Sequence, residues 1–240
     1  MNAEIVQNPA VGGAQPGPDA APQSAAGSLI GVFTEPRRTF ASMIPKPRIL
    51  APMIVLVVFQ LLFGLVLAQS GILKNDSIAK MEAKNAPQEQ IDAVSRVMES
   101  PVRFAFALAG PIVLVFSLLV SAALLYFMAN LMLGARLRYV HYLCIAAYGA
   151  VVGTVDQLVR MGLALSRGTL QVRMGVGAFL GDDLGVPLRI LDTATDPLLL
   201  WAVVIQAIGV AAMTKKGFGF GLLAVLPGTL ILVCLSAFQR

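Results

Sequence analysis

Residues 49–69 read ILAPMIVLVVFQLLFGLVLAQ, a run of 21 residues that contains no charged side chain. A helix of roughly 20 mainly apolar residues crosses the hydrocarbon core of a bilayer. Four further runs approach that length and composition, at residues 104–133, 140–165, 197–213 and 218–238. The sequence therefore predicts an all-α fold, an integral membrane bundle of about five transmembrane helices.

The overall composition is typical of a chain that uses lipid as its solvent. Of 240 residues, 57% are apolar and 13% are charged, whereas soluble domains carry about a quarter charged residues. The formal net charge is +5, but a nucleic-acid binder gathers its basic residues on a water-exposed surface. Here many basic residues lie beside apolar runs, so we expect the lipid bilayer as a partner and no nucleic acid.

The N-terminal segment differs from the rest of the chain. Residues 1–27 are rich in Ala, Pro, Gly and Gln and have little apolar material to offset chain entropy. This composition predicts a disordered tail, followed by a membrane domain over residues 28–240. The pattern of a cleaved signal peptide, a basic start and then a short apolar run, is not visible.

A short amphipathic segment precedes the first span. Thr34 is a candidate helix cap, with Pro36 in the first turn, where its missing N–H leaves no bond unmade. The apolar residues that follow share one helix face, opposite Arg37 and Arg38: they are Phe40, Met43 and Ile44. The pattern predicts a short interfacial helix lying on anionic lipid, and a plain linker is the alternative.

Basic residues predict the orientation. Clusters without acidic members precede the first span and occupy the second-to-third and fourth-to-fifth connections: Arg37, Arg38, Lys46, Arg48, Arg136, Arg138, Lys215 and Lys216. The opposite connections are longer and mix both signs of charge. By the positive-inside rule, weighted to short connections, the N-terminus lies in the cytoplasm and the C-terminus outside.

The two long connections are predicted to lack a catalytic domain. Residues 71–103 contain apolar residues at helical spacing, which predicts partly helical structure. Residues 166–196 contain several glycines and are predicted to form an irregular loop. Neither segment is long enough for a folded catalytic domain.

Asp156 and Arg160 are the most informative polar residues inside a predicted span. They lie four residues apart, so they share a helix face and can pair. Charged groups at membrane depth face the bundle interior or water, which makes the pair a candidate intramembrane polar site for an ion, a headgroup or a substrate. Because Asp156 falls in the outer half of the span, a self-neutralised structural pair near the outer interface is the other interpretation.

Small residues indicate close helix packing in the same span. Gly149 and Gly153 form a G-x-x-x-G face, a spacing that lets two helices approach closely. The face could pack within the bundle or form the seam of a homodimer.

The start of the fourth span is marked by capping residues. Asp196 can accept backbone N–H bonds as a helix cap, and Pro197 suits the first turn. Trp201, one turn further on, fits an aromatic anchor near the outer interface.

The residues needed for catalysis are not found in a recognisable arrangement. His141 is the single histidine of the sequence, so a multi-histidine metal site is excluded. His141 and Cys144 share a helix face, but no further ligand or base has a suitable spacing. We therefore predict no catalytic residue, no metal and no cofactor, and a protein that is not an enzyme.

Two stretches resemble the prokaryotic branch of the Yip-one domain family. The first is TEPRRTF at residues 34–40, leading into the first span. The second is LDTATDPLLLW at residues 191–201, which includes Asp196 and Trp201 and continues to an Ile-Gly pair at 208–209. Tyr148 falls where the family often has a tyrosine in the third span.

This resemblance implies a five-span protein with a cytoplasmic N-terminus, in the inner membrane of a prokaryote. Eukaryotic members are associated with Rab-type GTPases, but the Asp-Leu-Tyr-Gly signature expected before the first span is absent here, so Rab binding is not carried over. The leading hypothesis is a non-enzymatic membrane-organising or partner-binding protein, with a membrane protein or a second copy of the chain as partner. The rival is a small transporter, channel or lipid-handling protein that uses Asp156 and Arg160.

Overall fold

The computed structural model describes residues 24–170, 172–180 and 185–239, and within these ranges the regular elements are helices without a strand. The α-helices are α1 Ala25–Thr34, α2 Pro36–Ser42, α3 Leu50–Ser70, α4 Ile72–Ala83, α5 Gln88–Glu99, α6 Arg103–Tyr126, α7 Tyr139–Arg167, α8 Val186–Ala194, α9 Pro197–Thr214 and α10 Phe218–Gln239. A π-helical turn, Phe127–Met132, continues α6, and a 3₁₀ turn covers Val176–Phe179. The predicted all-α fold is confirmed.

In the described part of the chain, five helices are long and apolar enough to cross a bilayer: α3, α6 with its π-helical turn, α7, α9 and α10. The predicted number of spans is confirmed, and each helix begins and ends within about two residues of the predicted run, since hydrocarbon thickness sets the length of a spanning helix. The predicted disordered tail lies outside the described residues as far as residue 23. Residues 24–27 instead form the cap and first turn of α1, where the Ser24 hydroxyl accepts a bond from the Gly27 N–H at 3.0 Å.

The two ends of the bundle carry different elements. We call the end with α1, α2 and the α6–α7 and α9–α10 connections the basic end. There the Nε2 atom of His141 lies 3.0 Å from the carbonyl oxygen of Ile44, and Lys216 donates to the carbonyl of Leu133 at 3.4 Å. We call the other end, with α4, α5 and residues 168–196, the loop end. The structure therefore brings the three basic clusters of the sequence to one end.

Helix α7 lies at the centre of the bundle. It is the least apolar of the five spans, with a mean hydropathy of 1.4, yet half of its most apolar window is buried. The outer helix α3 has a mean hydropathy of 2.7, and only 11% of its window is buried. A span that contacts other helices rather than lipid can carry polar side chains, because those side chains find protein partners.

Helix α2 is where the structure departs most clearly from the sequence prediction. The helix exists, but Thr34 ends α1 instead of capping α2. Its apolar face does not lie on lipid: Phe40 and Met43 are 0% exposed. The ring of Phe40 packs edge-on against Tyr148 of α7, with ring centroids 6.1 Å apart, and it also lies against Gly209 of α9. The prediction of an interfacial helix was wrong, because an amphipathic pattern does not distinguish a lipid surface from a protein groove.

The connection between α6 and α7 is closed by one asparagine. The Asn130 amide donates to the carbonyl of Leu137 at 2.7 Å and accepts from the Leu137 N–H at 3.3 Å. Its oxygen also accepts from the Tyr142 hydroxyl at 2.6 Å. These bonds satisfy the N–H and C=O groups of Leu137, which lies in the connection between the two helices, so the turn has a fixed geometry.

The loop end is more ordered than the sequence predicted. An ion pair between Lys74 and Glu99 links α4 to α5, and hydrogen bonding and charge from Lys74 lower the pKa of the Glu99 carboxyl. Residues 166–196 are not irregular throughout, because they contain α8, which begins with Pro187 in its first turn and contacts α10. The glycines of this segment favoured the prediction of a loop, although it contains a helix of nine residues.

Helices α9 and α10 approach closely at Gly221. A Cβ atom added to Gly221 would lie 2.0 Å from the carbonyl oxygen of Ala207, well inside van der Waals contact. Only a glycine lets the two backbones lie this close, and close backbone approach is a main source of packing energy between helices in membranes.

Gly221→Ala is expected to lower the free energy of unfolding by about 1–3 kcal/mol, because the added methyl group forces α10 away from Ala207. Gly219→Ala is the matched control two residues away, since no atom lies within 4 Å of the added Cβ there. Unfolding of both variants in mixed detergent micelles measures the difference. Equal stability of the two variants would contradict the close approach.

Candidate functional site

Arg160 lies at the centre of a cluster of charged residues near the loop end. Its Nε atom donates to both carboxylate oxygens of Asp156, at 2.8 and 2.9 Å. Its Nη1 atom donates to the carbonyl oxygen of Val172 at 3.0 Å, and its Nη2 atom donates to Asp196. We call Asp156, Arg160 and Asp196 the Arg160 cluster. The predicted pair therefore gains a third charged member from 36 residues downstream.

The Asp196 carboxylate both caps α9 and pairs with Arg160. One carboxylate oxygen accepts from the N–H groups of Leu198 and Leu199, at 2.9 and 3.3 Å, so the side chain caps α9. The other oxygen accepts from Arg160, and the residue is only 2% exposed. A buried carboxylate is tolerated when hydrogen bonds and an opposite charge compensate it, and both are present here.

The segment that precedes α9 folds over the Arg160 cluster. One Asp192 carboxylate oxygen accepts from the N–H groups of Gly175 and Gly177, at 3.1 and 2.9 Å. The Thr195 hydroxyl accepts from the Val176 N–H at 3.0 Å. Gly175 is packed so closely that an added Cβ would lie 1.9 Å from the carbonyl oxygen of Asp192. Side chains at the end of α8 therefore hold the 3₁₀ turn in place.

A polar cleft lies beside the cluster, between α3, α6 and α7. It has a volume of about 240 Å³, and its polar lining includes Gln60, Thr154, Asp156 and Gln157. The Oε1 atom of Gln157 is buried and has no hydrogen-bond donor among the described residues. A buried amide oxygen without a donor is energetically unfavourable, and the residue that carries it lines the cleft.

The two glycines of the predicted packing face have different surroundings. An added Cβ at Gly149 would lie 2.6 Å from the side chain of Gln206 in α9, so this glycine lies at the α7–α9 contact. Gly153 has no atom within 4 Å of such a Cβ and lines the polar cleft. The structure therefore places Gly149 at a helix contact within the bundle and Gly153 beside open space.

His141 and Cys144 lie at the basic end and connect α7 to the segment before α3. Both ring nitrogens of His141 face carbonyl oxygens, those of Arg138 and Ile44. The Sγ atom of Cys144 is buried and lies 3.5 Å from the Sδ atom of Met43. Among the described residues, no group of three His, Cys, Asp or Glu side chains could hold a metal ion.

A groove opens at the basic end between α2, α9 and the start of α10. Its volume is about 410 Å³. Its lining combines apolar residues of the spans with charged residues from the start of α2 and the α9–α10 connection: Glu35, Pro36, Arg37, Arg38, Ile208, Ala211, Ala212, Lys216, Gly217 and Phe218. We call this feature the basic groove. It lies at the end of the bundle rather than inside it.

A family model for the Yip1 domain matches residues 30–238, which is most of the chain. The chain belongs to the Yip1 domain family. This confirms the family predicted from the two sequence stretches, and the prokaryotic branch stays a prediction. A search of curated proteins and a search of solved structures found no match to the chain.

The positions that carried the resemblance have distinct places in this Yip1 domain. Tyr148 is fully buried and packs against Phe40, and Asp196 belongs to the Arg160 cluster. Trp201 is 45% exposed near the start of α9. One of the three therefore lies in the core, one in the charged cluster and one on the outer surface of the bundle.

Sequence reasoning missed two residues that build the site. Asp192 was part of a segment predicted to be irregular. It lies three residues before Thr195 and four before the helix cap Asp196, a spacing that places it one helix turn away from both. Gln157 follows Asp156 in the same span, but no sequence pattern assigned it to the site. The pairing of Asp196 with Arg160 had no local signal, because it joins residues on two different helices.

Proposed function

We propose that this Yip1 domain is a non-enzymatic membrane protein that organises its surroundings or binds a membrane partner. The observation that carries the proposal is the engagement of Arg160 by two carboxylates and a carbonyl from three segments. A side chain that carries an ion or a substrate must exchange its partners, whereas Arg160 is held by three groups, one of which, the Asp196 carboxylate, also caps α9. The Yip1 family is not a known enzyme family, which supports the non-enzymatic part.

The test is purification from the native membrane in lipid nanodiscs, with identification of every protein that co-purifies in stoichiometric amount. We expect a reproducible protein partner, either a second membrane protein or another copy of the chain. The same preparation, reconstituted into liposomes, is expected to move neither solutes nor lipids. Transport by the purified protein on its own would overturn the proposal.

The proposal includes an orientation, with the basic end in the cytoplasm of a prokaryotic cell and the C-terminus outside. It is supported by the gathering of the basic clusters at one end, since short basic connections stay on the cytoplasmic side. Single cysteines at Arg136 and Lys84, both exposed residues at opposite ends, test it in a variant that lacks Cys144 and Cys234. A membrane-impermeant maleimide added to intact cells should label position 84 and leave position 136 unlabelled.

The polar cleft favours a second candidate function, the handling of a small polar solute or a lipid headgroup. Its specific support is the Gln157 oxygen, which is buried and has no donor in the described part of the chain. A bound molecule with a hydroxyl or amino group would supply that donor. In this candidate function, Asp156 of the Arg160 cluster lines the binding site, and the ion pairs of the cluster do not have to break.

Accessibility labelling separates the two functions. A single cysteine at Gln157 lies in the cleft but leaves the Arg160 cluster intact, whereas a cysteine at Arg160 would remove the cluster itself. Under the leading proposal a water-soluble thiol reagent does not reach position 157. Labelling from water that a bound solute prevents would favour the second function.

A further inference from the structure

The walls of the basic groove have two chemical characters. Ile208, Ala211 and Ala212 of α9, together with Phe218 of α10, form an apolar wall. The rim is formed by charged side chains from the start of α2 and from the α9–α10 connection: Glu35, Arg37, Arg38 and Lys216. A ligand that fills this groove needs an apolar part and an anionic part close together.

The positive charge of the rim exceeds what the protein neutralises. Arg38 pairs with Glu35 at 3.1 Å, which leaves two other cations at the rim. Arg37 is exposed and makes no ion pair or hydrogen bond within the described ranges. Lys216 lies 4.1 Å from the centre of the Phe220 ring and 3.4 Å from a carbonyl oxygen, and no carboxylate of the described residues pairs with its positive charge.

Because the groove lies where two spans end, we expect it to lie at the level where hydrocarbon meets headgroups. Helix α9 ends at Thr214 and α10 begins at Phe218, so Lys216 sits in the short connection between two spans. The apolar wall belongs to the last turns of α9, which lie below that connection at membrane depth. An anionic group at the rim and an acyl chain along the wall would match both surfaces.

We propose that the basic groove binds one anionic phospholipid, with its phosphate between Arg37 and Lys216 and an acyl chain against Ala212 and Ile208. Basic residues next to a span attract anionic lipid, and a groove with an apolar wall adds a defined position to that attraction. A soluble acidic peptide fits the wall less well, because it would expose its backbone to lipid. This inference is independent of the partner-binding proposal, since a transporter could hold the same lipid.

Native mass spectrometry of the full chain in detergent tests the site, with phosphatidylglycerol and phosphatidylcholine as probes. We expect one phosphatidylglycerol to be retained in preference to phosphatidylcholine. The double variant Arg37→Gln, Lys216→Gln should bind it roughly tenfold or more weakly. The control Arg136→Gln, Arg138→Gln removes the same charge from exposed residues of the same end outside the groove, and it should retain wild-type affinity.

A second variant separates the groove from general surface charge. Ala212→Leu fills the apolar wall without any change in charge, and it should also weaken phosphatidylglycerol binding. Equal losses in the groove and control double variants would overturn the proposal, as would unchanged binding in Ala212→Leu. Competition by inorganic phosphate at equal concentration would identify a site for free phosphate instead of lipid. Unchanged elution and helical content show that each variant is folded.

Discussion

Arg160→Met is expected to lower the free energy of unfolding by about 3 kcal/mol, because it leaves the buried Asp196 carboxylate without its cationic partner in a cluster that is otherwise partly exposed. Asp196 is 2% exposed and the Asp156 side chain is 24% exposed. Without the guanidinium, the buried carboxylate of Asp196 loses its cationic partner, whereas water compensates part of the loss at the partly exposed Asp156. Unfolding in mixed micelles and the apparent melting temperature in mild detergent measure the loss.

Arg167→Met is the control for this prediction. Arg167 lies in the last turn of the same helix and is exposed, so its replacement should change stability by only about 0.5 kcal/mol. Adding Asp196→Asn to Arg160→Met should recover part of the loss, because an asparagine keeps the cap acceptor and removes the charge. Equal losses at positions 160 and 167 would show that the cluster does not stabilise the bundle.

Phe40→Ala is expected to destabilise the bundle by about 3–5 kcal/mol, because it leaves a cavity that the surrounding helices cannot fill. The ring is fully buried between α7 and α9 and contacts Tyr148 and Gly209. The variant should therefore loosen the attachment of α2 and lower the free energy of unfolding. Thermal unfolding in detergent, together with protease sensitivity of residues 35–49, measures both effects.

Phe33→Ala is the matched aromatic control, since Phe33 is 37% exposed in α1. Its loss should be much smaller than that at Phe40. If α2 instead lay on the lipid surface, Phe40→Ala would weaken lipid contact and leave the unfolding of the bundle unchanged. That outcome would restore the interpretation that the sequence pattern favoured.

The spans were predictable because their cause is local. A run such as residues 49–69 must be helical and apolar whatever surrounds it, since lipid offers no partner to a backbone group. The start of α9 was predictable for a similar reason, because the cap by Asp196 and the first-turn Pro197 act within one helix turn. The stretches at residues 34–40 and 191–201 also identified the family correctly.

The candidate site was predicted only in part. Asp156 and Arg160 were paired correctly from their spacing, because a four-residue separation places both on one helix face. The third member, Asp196, was predicted as a helix cap alone. Its ion pair with Arg160 joins α9 to α7, and the local sequence around either residue carries no information about the other helix.

The sequence by itself determined which segments enter the membrane and how long they are, because hydrocarbon thickness and backbone hydrogen bonding act on each segment separately. Only the tertiary structure decided which faces meet protein instead of lipid. Phe40 and Met43 could have lain on lipid, and the groove between α7 and α9 buries them. The physical reason is that lipid and a protein interior are similarly apolar, so hydrophobic pattern cannot choose between them, whereas shape and polar partners can.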